Sequence, residues 1–182
     1  MLDGDSVVAE GEPADLRLDV PAPVSLEQAR SALLESEWHV NHPFPGCFGC
    51  EPERSQEEAV AITMGALETG ILYAGTWTPL EEFASRGDRV APLFVWSALD
   101  CPTAAPAVAP DSRASVLARL TARLLTPPLA RVEHTVLAWL IGHDGRKHLG
   151  GSAIYRPDGV LCAYAEGLWI DLRDLLVMGV RT

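Results

Sequence analysis

Positive charge is scarce in this chain. Lys147 is the single lysine, and with thirteen arginines it faces 25 acidic residues, so the formal net charge is −11 over 182 residues. That balance argues against a nucleic-acid groove or an anionic membrane surface, both of which need clustered cations. It leaves room for an anionic small molecule held by a few local arginines. No stretch approaches about 18 uninterrupted apolar residues, so no transmembrane helix is expected. The opening MLDGDSVVAEGEPADLRLDV is acidic and broken by Gly and Pro. It lacks the basic start and apolar block of a secretory leader. Cysteine is sparse too: Cys47, Cys50, Cys101 and Cys162 read as reduced thiols of a cytoplasmic protein, not as a disulfide framework. Internal repeats and low-complexity tracts are also missing.

What is present fits one domain with a substantial core, since 48% of the residues are hydrophobic and 21% charged. Residues 1–24 read as a loosely structured leader that allows one short strand at Leu16–Val20, and residues 25–182 as the single domain. Ser25 is a good N-cap for SLEQARSALLESE, whose Leu26, Ala29, Ala32 and Leu33 share a stripe. A loop dense in Pro, Gly and Cys follows, HVNHPFPGCFGCEPERSQEE. Strand patterns are expected at AVAITMGAL and GILYAGTWTP, with a helical turn over Pro79–Ala84. The second half holds three long β runs, linked by HDGRK and by a turn at Arg156-Pro157-Asp158-Gly159.

Between the halves lies RVAPLFVWSALDCPTAAPAV, an apolar run with one interior carboxylate, Asp100. Pro92 suits a first helical turn, and Pro102 either ends the helix or kinks it, which places the helix at about residues 92–106. A buried carboxylate is costly unless paired, so Asp100 either caps a turn or meets Arg119 or Arg123, or it does chemistry. Trp96 stands four residues earlier on the same helix face.

The order of elements, together with VWSALDCPTAAPA, HPFPGCFGCEPER and the Asp88–Pro92 step, resembles the hotdog-fold thioesterase superfamily over roughly residues 38–170. Phenylacetate-pathway-type acyl-CoA thioesterases and bacterial thioesterase-like proteins are the nearest groups. The resemblance implies an α+β fold in which a long antiparallel sheet wraps a central apolar helix. It also implies a homodimer or dimer of dimers, an acyl-thioester ligand and no cofactor. Asp100 then matches the catalytic acid, as nucleophile or general base, with Leu93, Phe94 and Trp96 on the substrate side. One departure stands out. Members of this group carry His-Gly-Gly before the helix, whereas this chain has Arg89-Val90-Ala91-Pro92, and Pro92 donates no hydrogen bond. An oxyanion site is then open only to amides around Leu93 and Phe94. Thioester hydrolysis is the first expectation and a non-catalytic acyl-binding scaffold the second. A dehydratase or hydratase ranks last, because no histidine accompanies Asp100 on its helix.

The remaining candidates have plainer readings. Cys47 and Cys50, with His42 and His39 near, supply one CxxC pair where zinc sites commonly use two, so a compact turn with packed thiols is preferred and no metal is expected. His134 reads as a hydrogen-bonded strand histidine, and His143 and His148 as solvated turn residues. Arg113, Arg119, Arg123 and Arg131 offer phosphate contacts in principle and solvent or acidic neighbours by default. Trp77, Trp96, Trp139 and Trp169 read as core, with the floor of an acyl pocket as the alternative for Trp96.

Overall fold

A computed structural model describes residues 2–34, 36, 42, 44–68, 70–108 and 114–172. A small hairpin opens the chain (β1, Leu2–Asp3; β2, Ser6–Val7). Helix α1 spans Leu26–Leu34. Its start is a reciprocal cap: Gln28 N–H donates to Ser25 Oγ at 3.1 Å, and Ser25 N–H donates to Gln28 Oε1 at 3.0 Å. Then come β3 (Gly65–Ala66), β4 (Leu72–Trp77) and the short pair β5 (Ala84–Arg86) and β6 (Arg89–Val90). Helix α2 (Pro92–Asp100) leads through a 3₁₀ turn, Cys101–Ala104, into α3 (Ala105–Val108). Four long strands finish the fold: β7 (Ser115–Leu124), β8 (His134–Asp144), β9 (Lys147–Tyr155) and β10 (Leu161–Asp171).

These strands form one antiparallel sheet in the order β3-β4-β8-β9-β10-β7. Strand alternation sends successive side chains to opposite faces, and here both faces are covered. Val136, Ala138, Ile154, Ala163 and Ala165 meet Val95, Ala98, Leu99 and Ala105 on the helix side. Leu137, Trp139, Ala153, Tyr155 and Tyr164 meet Ala29, Ala32 and Leu16 on the other. Trp77, Trp139 and Trp169 are core residues, as expected.

Two expectations are corrected, and one of the two forms allowed for the central helix is selected. Leu16–Val20 forms no strand: Tyr164 Oη donates to the Leu16 carbonyl at 3.1 Å and Tyr155 Oη to that of Pro21, so the segment lies over the sheet's outer face without a ladder. The AVAITMGAL strand shrinks to Gly65–Ala66. Ala61 sits at φ 43°, and the amides of Ala61 and Ile62 donate to Phe48 and Gly49 carbonyls at 3.1 and 2.8 Å, so this stretch ties to the cysteine loop and not to the sheet. The central helix lies at about residues 92–106 as expected and takes the kinked form at Pro102. Pro102 has no N–H and its ring crowds the preceding turn, and the chain tightens to 3₁₀ over Cys101–Ala104 before resuming.

That tightened turn is pressed against the sheet at two glycines. A Cβ on Gly150 would lie 1.9 Å from the Thr103 carbonyl oxygen, and one on Gly167 would lie 2.1 Å from Thr103 Oγ1. Thr103 is fully buried there, donating to the Asp100 carbonyl and accepting from Trp169 Nε1–H, both at 2.7 Å. Ser152 Oγ adds a bond to the Leu99 carbonyl at 2.8 Å. The helix end is therefore registered on the sheet by polar contacts inside an apolar core.

His134 has the structural role expected of it. It is fully buried, its Nδ1 lies 2.6 Å from the Val132 carbonyl, and its Nε2 accepts from Leu129 N–H at 3.2 Å. One nitrogen donates and the other accepts, which is the neutral ring. His148 departs from expectation. Its Nε2 lies 2.9 Å from Asp171 Oδ2, and Asp171 also accepts from Ser115 Oγ at 2.7 Å, so it is a partly buried strand contact and not a solvated one. Among the described residues, no helix is long and apolar enough to cross a membrane.

Two outcomes follow from this packing. Gly150→Ala should lose about 3 kcal/mol or more in urea unfolding, because a backbone carbonyl cannot yield as a side chain would. Gly142→Ala, with nothing within 4 Å of the added methyl, should stay within about 0.5 kcal/mol of the parent. Equal effects would refute the close seating. Burial lowers the pKa of His134 below 6.5 in the folded protein, so the unfolded chain takes the proton first as pH falls. Stability should thus decline as pH drops through about 6.5, and the slope should flatten in His134→Gln. An unchanged slope would contradict a buried neutral ring.

Candidate functional site

Asp100 closes α2, with Trp96 four residues before it and Leu93 two turns before it. Trp96 is 38% exposed and Leu93 70% exposed. Phe94 turns inward instead, stacked on Phe83 at 3.9 Å between ring centroids, while Phe83 meets Phe48 of the cysteine loop at 6.2 Å. Of the helix N-terminal amides, Phe94 N–H and Val95 N–H both donate to the Ala91 carbonyl, at 3.1 and 3.3 Å. Leu93 N–H, behind Pro92, makes no such bond among the described residues. It is the donor left for a ligand oxygen.

The Asp100 carboxyl is mostly buried, and its Oδ1 has no hydrogen-bond partner. Its pKa is raised to about 6, chiefly by burial and then by the negative charge of Cys47. Among the described residues no arginine pairs with it. Arg119 instead meets Glu166 at 3.5 Å, and Arg131 meets Glu81 at 3.5 Å, both on the surface. Arg113 lies outside the described residues, as does His39. An open groove of about 1010 Å³ runs beside Trp96, bordered by Arg119, Leu120 and Ala122 of β7 and by Glu10 and Pro13 of the leader.

Next to Asp100 the fold assembles a thiol cluster. Cys47 and Cys50 come from the loop and Cys101 from the helix end, and the three sulfurs lie within 4.8 Å of one another. Cys47 Sγ is 3.4 Å from Cys50 Sγ and 3.9 Å from Cys101 Sγ. His42 Nε2 reaches Cys50 Sγ at 3.2 Å. Gly49 makes the approach feasible, because a Cβ there would sit 2.8 Å from the Cys101 sulfur. Hydrogen bonds from the Cys101 and Cys50 thiols hold Cys47 well below the usual thiol range. The pKa of Cys101 rises in turn. Sequence reading found the CxxC pair and His42 but missed Cys101. Only the bare Cys101 beside Pro102, 51 residues downstream of Cys50, could have signalled it.

No protein-family model matches the sequence, and no curated protein matches it. Solved structures do match. A thioesterase superfamily protein is 22% identical over 80% of this chain and 82% of its own, with a TM-score of 0.54. The PaaI protein of the phenylacetic acid degradation operon of E. coli is 18% identical over 62% of this chain and 80% of its own, TM-score 0.52. A hypothetical thioesterase from Streptococcus pneumoniae, solved with coenzyme A, is 7% identical over 61% and 85%, TM-score 0.54. At these identities the likeness is one of fold, and the fold this chain shares with those thioesterase proteins is the hotdog fold, a long antiparallel sheet around a central helix.

Proposed function

We propose that the protein hydrolyses an acyl thioester, an acyl-CoA in the first instance, with Asp100 as nucleophile or general base. The observation that carries this reading is the buried Asp100 carboxyl with a free oxygen, on the helix at the centre of a fold shared with thioesterases. A buried carboxyl without a counter-charge costs stability, and such a cost is retained where a group acts on a ligand. The neighbour solved with coenzyme A supports a thioester of that carrier.

Geometry also bears on how such a site is completed. Asp100 and the Leu93 amide are seven residues apart, about 10 Å along a helix. A carbonyl oxygen held at about 3 Å by that amide is out of reach of the same chain's carboxylate. With Leu93 as the donor, this reading takes the two groups from different copies, and its working unit is a homodimer with its sites across the interface. Each site takes Asp100 from one protomer and the Leu93 amide from its partner. The exposed Leu93 and Trp96 then line the acyl face. Phe94, stacked on Phe83 with its amide taken by the Ala91 carbonyl, shapes the helix start beside them. In the chemical step Asp100 either attacks the thioester carbon or takes a proton from the attacking water. In the first case the C–S bond breaks, the CoA thiolate leaves to take a proton from solvent, and water then cleaves the resulting anhydride to the free acid and the Asp100 carboxylate. In the second, the thiolate expelled as the C–S bond breaks recovers the proton that Asp100 took.

A second reading, ligand binding without turnover, is favoured by one feature: Ala91-Pro92 stands where glycine amides would open, and Ala91 accepts the Phe94 N–H. Thiol release from short, medium, long and aromatic acyl-CoAs separates the two. Turnover by the parent that falls about 10²–10⁴-fold in Asp100→Asn, with the fold retained, supports hydrolysis at Asp100. Turnover that survives the change contradicts it. Ester binding without thiol release from either protein establishes the second reading.

A further inference from the structure

We infer that Cys47, Cys50, Cys101 and His42 form a structural zinc site that fastens the cysteine loop to the end of the central helix. Nothing in the thioesterase reading calls for a metal, and the inference does not depend on that reading.

The geometry points to zinc. A tetrahedral ion with bonds of about 2.3 Å to sulfur separates its sulfur ligands by about 3.8 Å. The Cys47 thiol stands 3.4 Å from Cys50 and 3.9 Å from Cys101, close to that edge on both sides. A disulfide would need sulfurs near 2.0 Å, and it would use only two of the three. His42 supplies the nitrogen. Its Nε2 is already 3.2 Å from Cys50 Sγ, near the edge of about 3.6 Å that a shared ion sets between sulfur and nitrogen ligands. The three sulfurs form the close group, while His42 Nε2 is near Cys50 and has to draw in on Cys47 and Cys101 as the ion enters. That makes three thiolates and one imidazole, the closed form of a structural site and not of a catalytic one.

The surroundings fit the same reading. His42 Nδ1 lies 4.0 Å from Glu51 Oε2, and a zinc-bound histidine commonly directs its second nitrogen to a carboxylate. Phe44 N–H donates to that Nδ1 at 3.3 Å in the structure, so metal loading exchanges this bond for one from Nδ1–H to Glu51. Glu51 is itself held in place by Gly46 N–H at 2.7 Å. The knuckle turn between the thiols is closed by Glu51 N–H on the Cys47 carbonyl at 3.2 Å. Gly49 leaves the space through which Cys101 joins from 51 residues away. On loading, the thiols that still carry a proton release it to solvent, and all three sulfurs bind as thiolates.

The test uses the full chain, purified under reductant and without chelator. Metal analysis should find one zinc per chain. After zinc removal, cobalt(II) should bind with one-to-one stoichiometry and show tetrahedral d–d bands with sulfur-to-cobalt charge transfer. Cys101→Ser should weaken cobalt binding about 100-fold or more, and His42→Ala about 10-fold with a shifted spectrum, while Cys162→Ser should bind as the parent does. If Cys101→Ser does not fold, the parent spectrum and His42→Ala still decide. Parent protein that binds no cobalt after reduction, or that binds without charge-transfer bands, overturns the site. So does unaltered affinity in His42→Ala, and so does a Cys47–Cys50 disulfide in protein that takes up no metal once reduced.

Discussion

The placement of one 3₁₀ turn, Cys101–Ala104, governs the rest of the molecule. Its Thr103 lies between Gly150 and Gly167, where the helix backbone comes so near the sheet that a single methyl on either strand would collide. Trp169 Nε1–H and the Asp100 carbonyl satisfy the Thr103 hydroxyl, and Ser152 satisfies the Leu99 carbonyl. Burial of apolar surface brings a helix to a sheet, but it is not directional. These polar contacts set where along the sheet the helix stops. Asp100 and Cys101 follow immediately from that register, one facing the end of the helix and the other facing the loop.

The two ends of α2 then have different duties. At its start, behind Pro92, the Leu93 amide has no backbone partner among the described residues, and Leu93 and Trp96 stay exposed. At its close the chain is held by the sheet on one side and by the thiol cluster on the other. Asp100, whose Oδ1 has no hydrogen-bond partner, is kept beside the three sulfurs, and no arginine pairs with it among the described residues.

Much of the architecture was legible because periodicity and punctuation report it directly. The Ser25 cap, the long β runs of the second half and the Arg156–Gly159 turn all formed as read. The misreadings share a cause. Leu16–Val20 and AVAITMGAL have strand-like composition, but their hydrogen bonds go to Tyr164 and to the cysteine loop, and only tertiary neighbours decide that. Pro102 announced a break, yet whether a helix ends or tightens there depends on the glycines of strands that come some fifty residues later. Asp100 could be singled out because it is the one acid in an apolar run. Its freedom from Arg119 and Arg123 could not, and neither could the arrival of Cys101 beside Cys47 and Cys50, since both depend on which strands become neighbours.

The most direct test of a site shared between two copies is complementation. Asp100→Asn protein lacks the carboxylate, and Leu93→Pro protein lacks the amide donor, so each alone should release little thiol from an acyl-CoA that the parent cleaves. Mixed and allowed to exchange subunits, half of the dimers carry one of each chain, and one of their two sites then holds both intact groups. Activity should return to about a quarter of the parent level. A mixture no more active than its components would contradict a site built from Asp100 of one chain and Leu93 of the other.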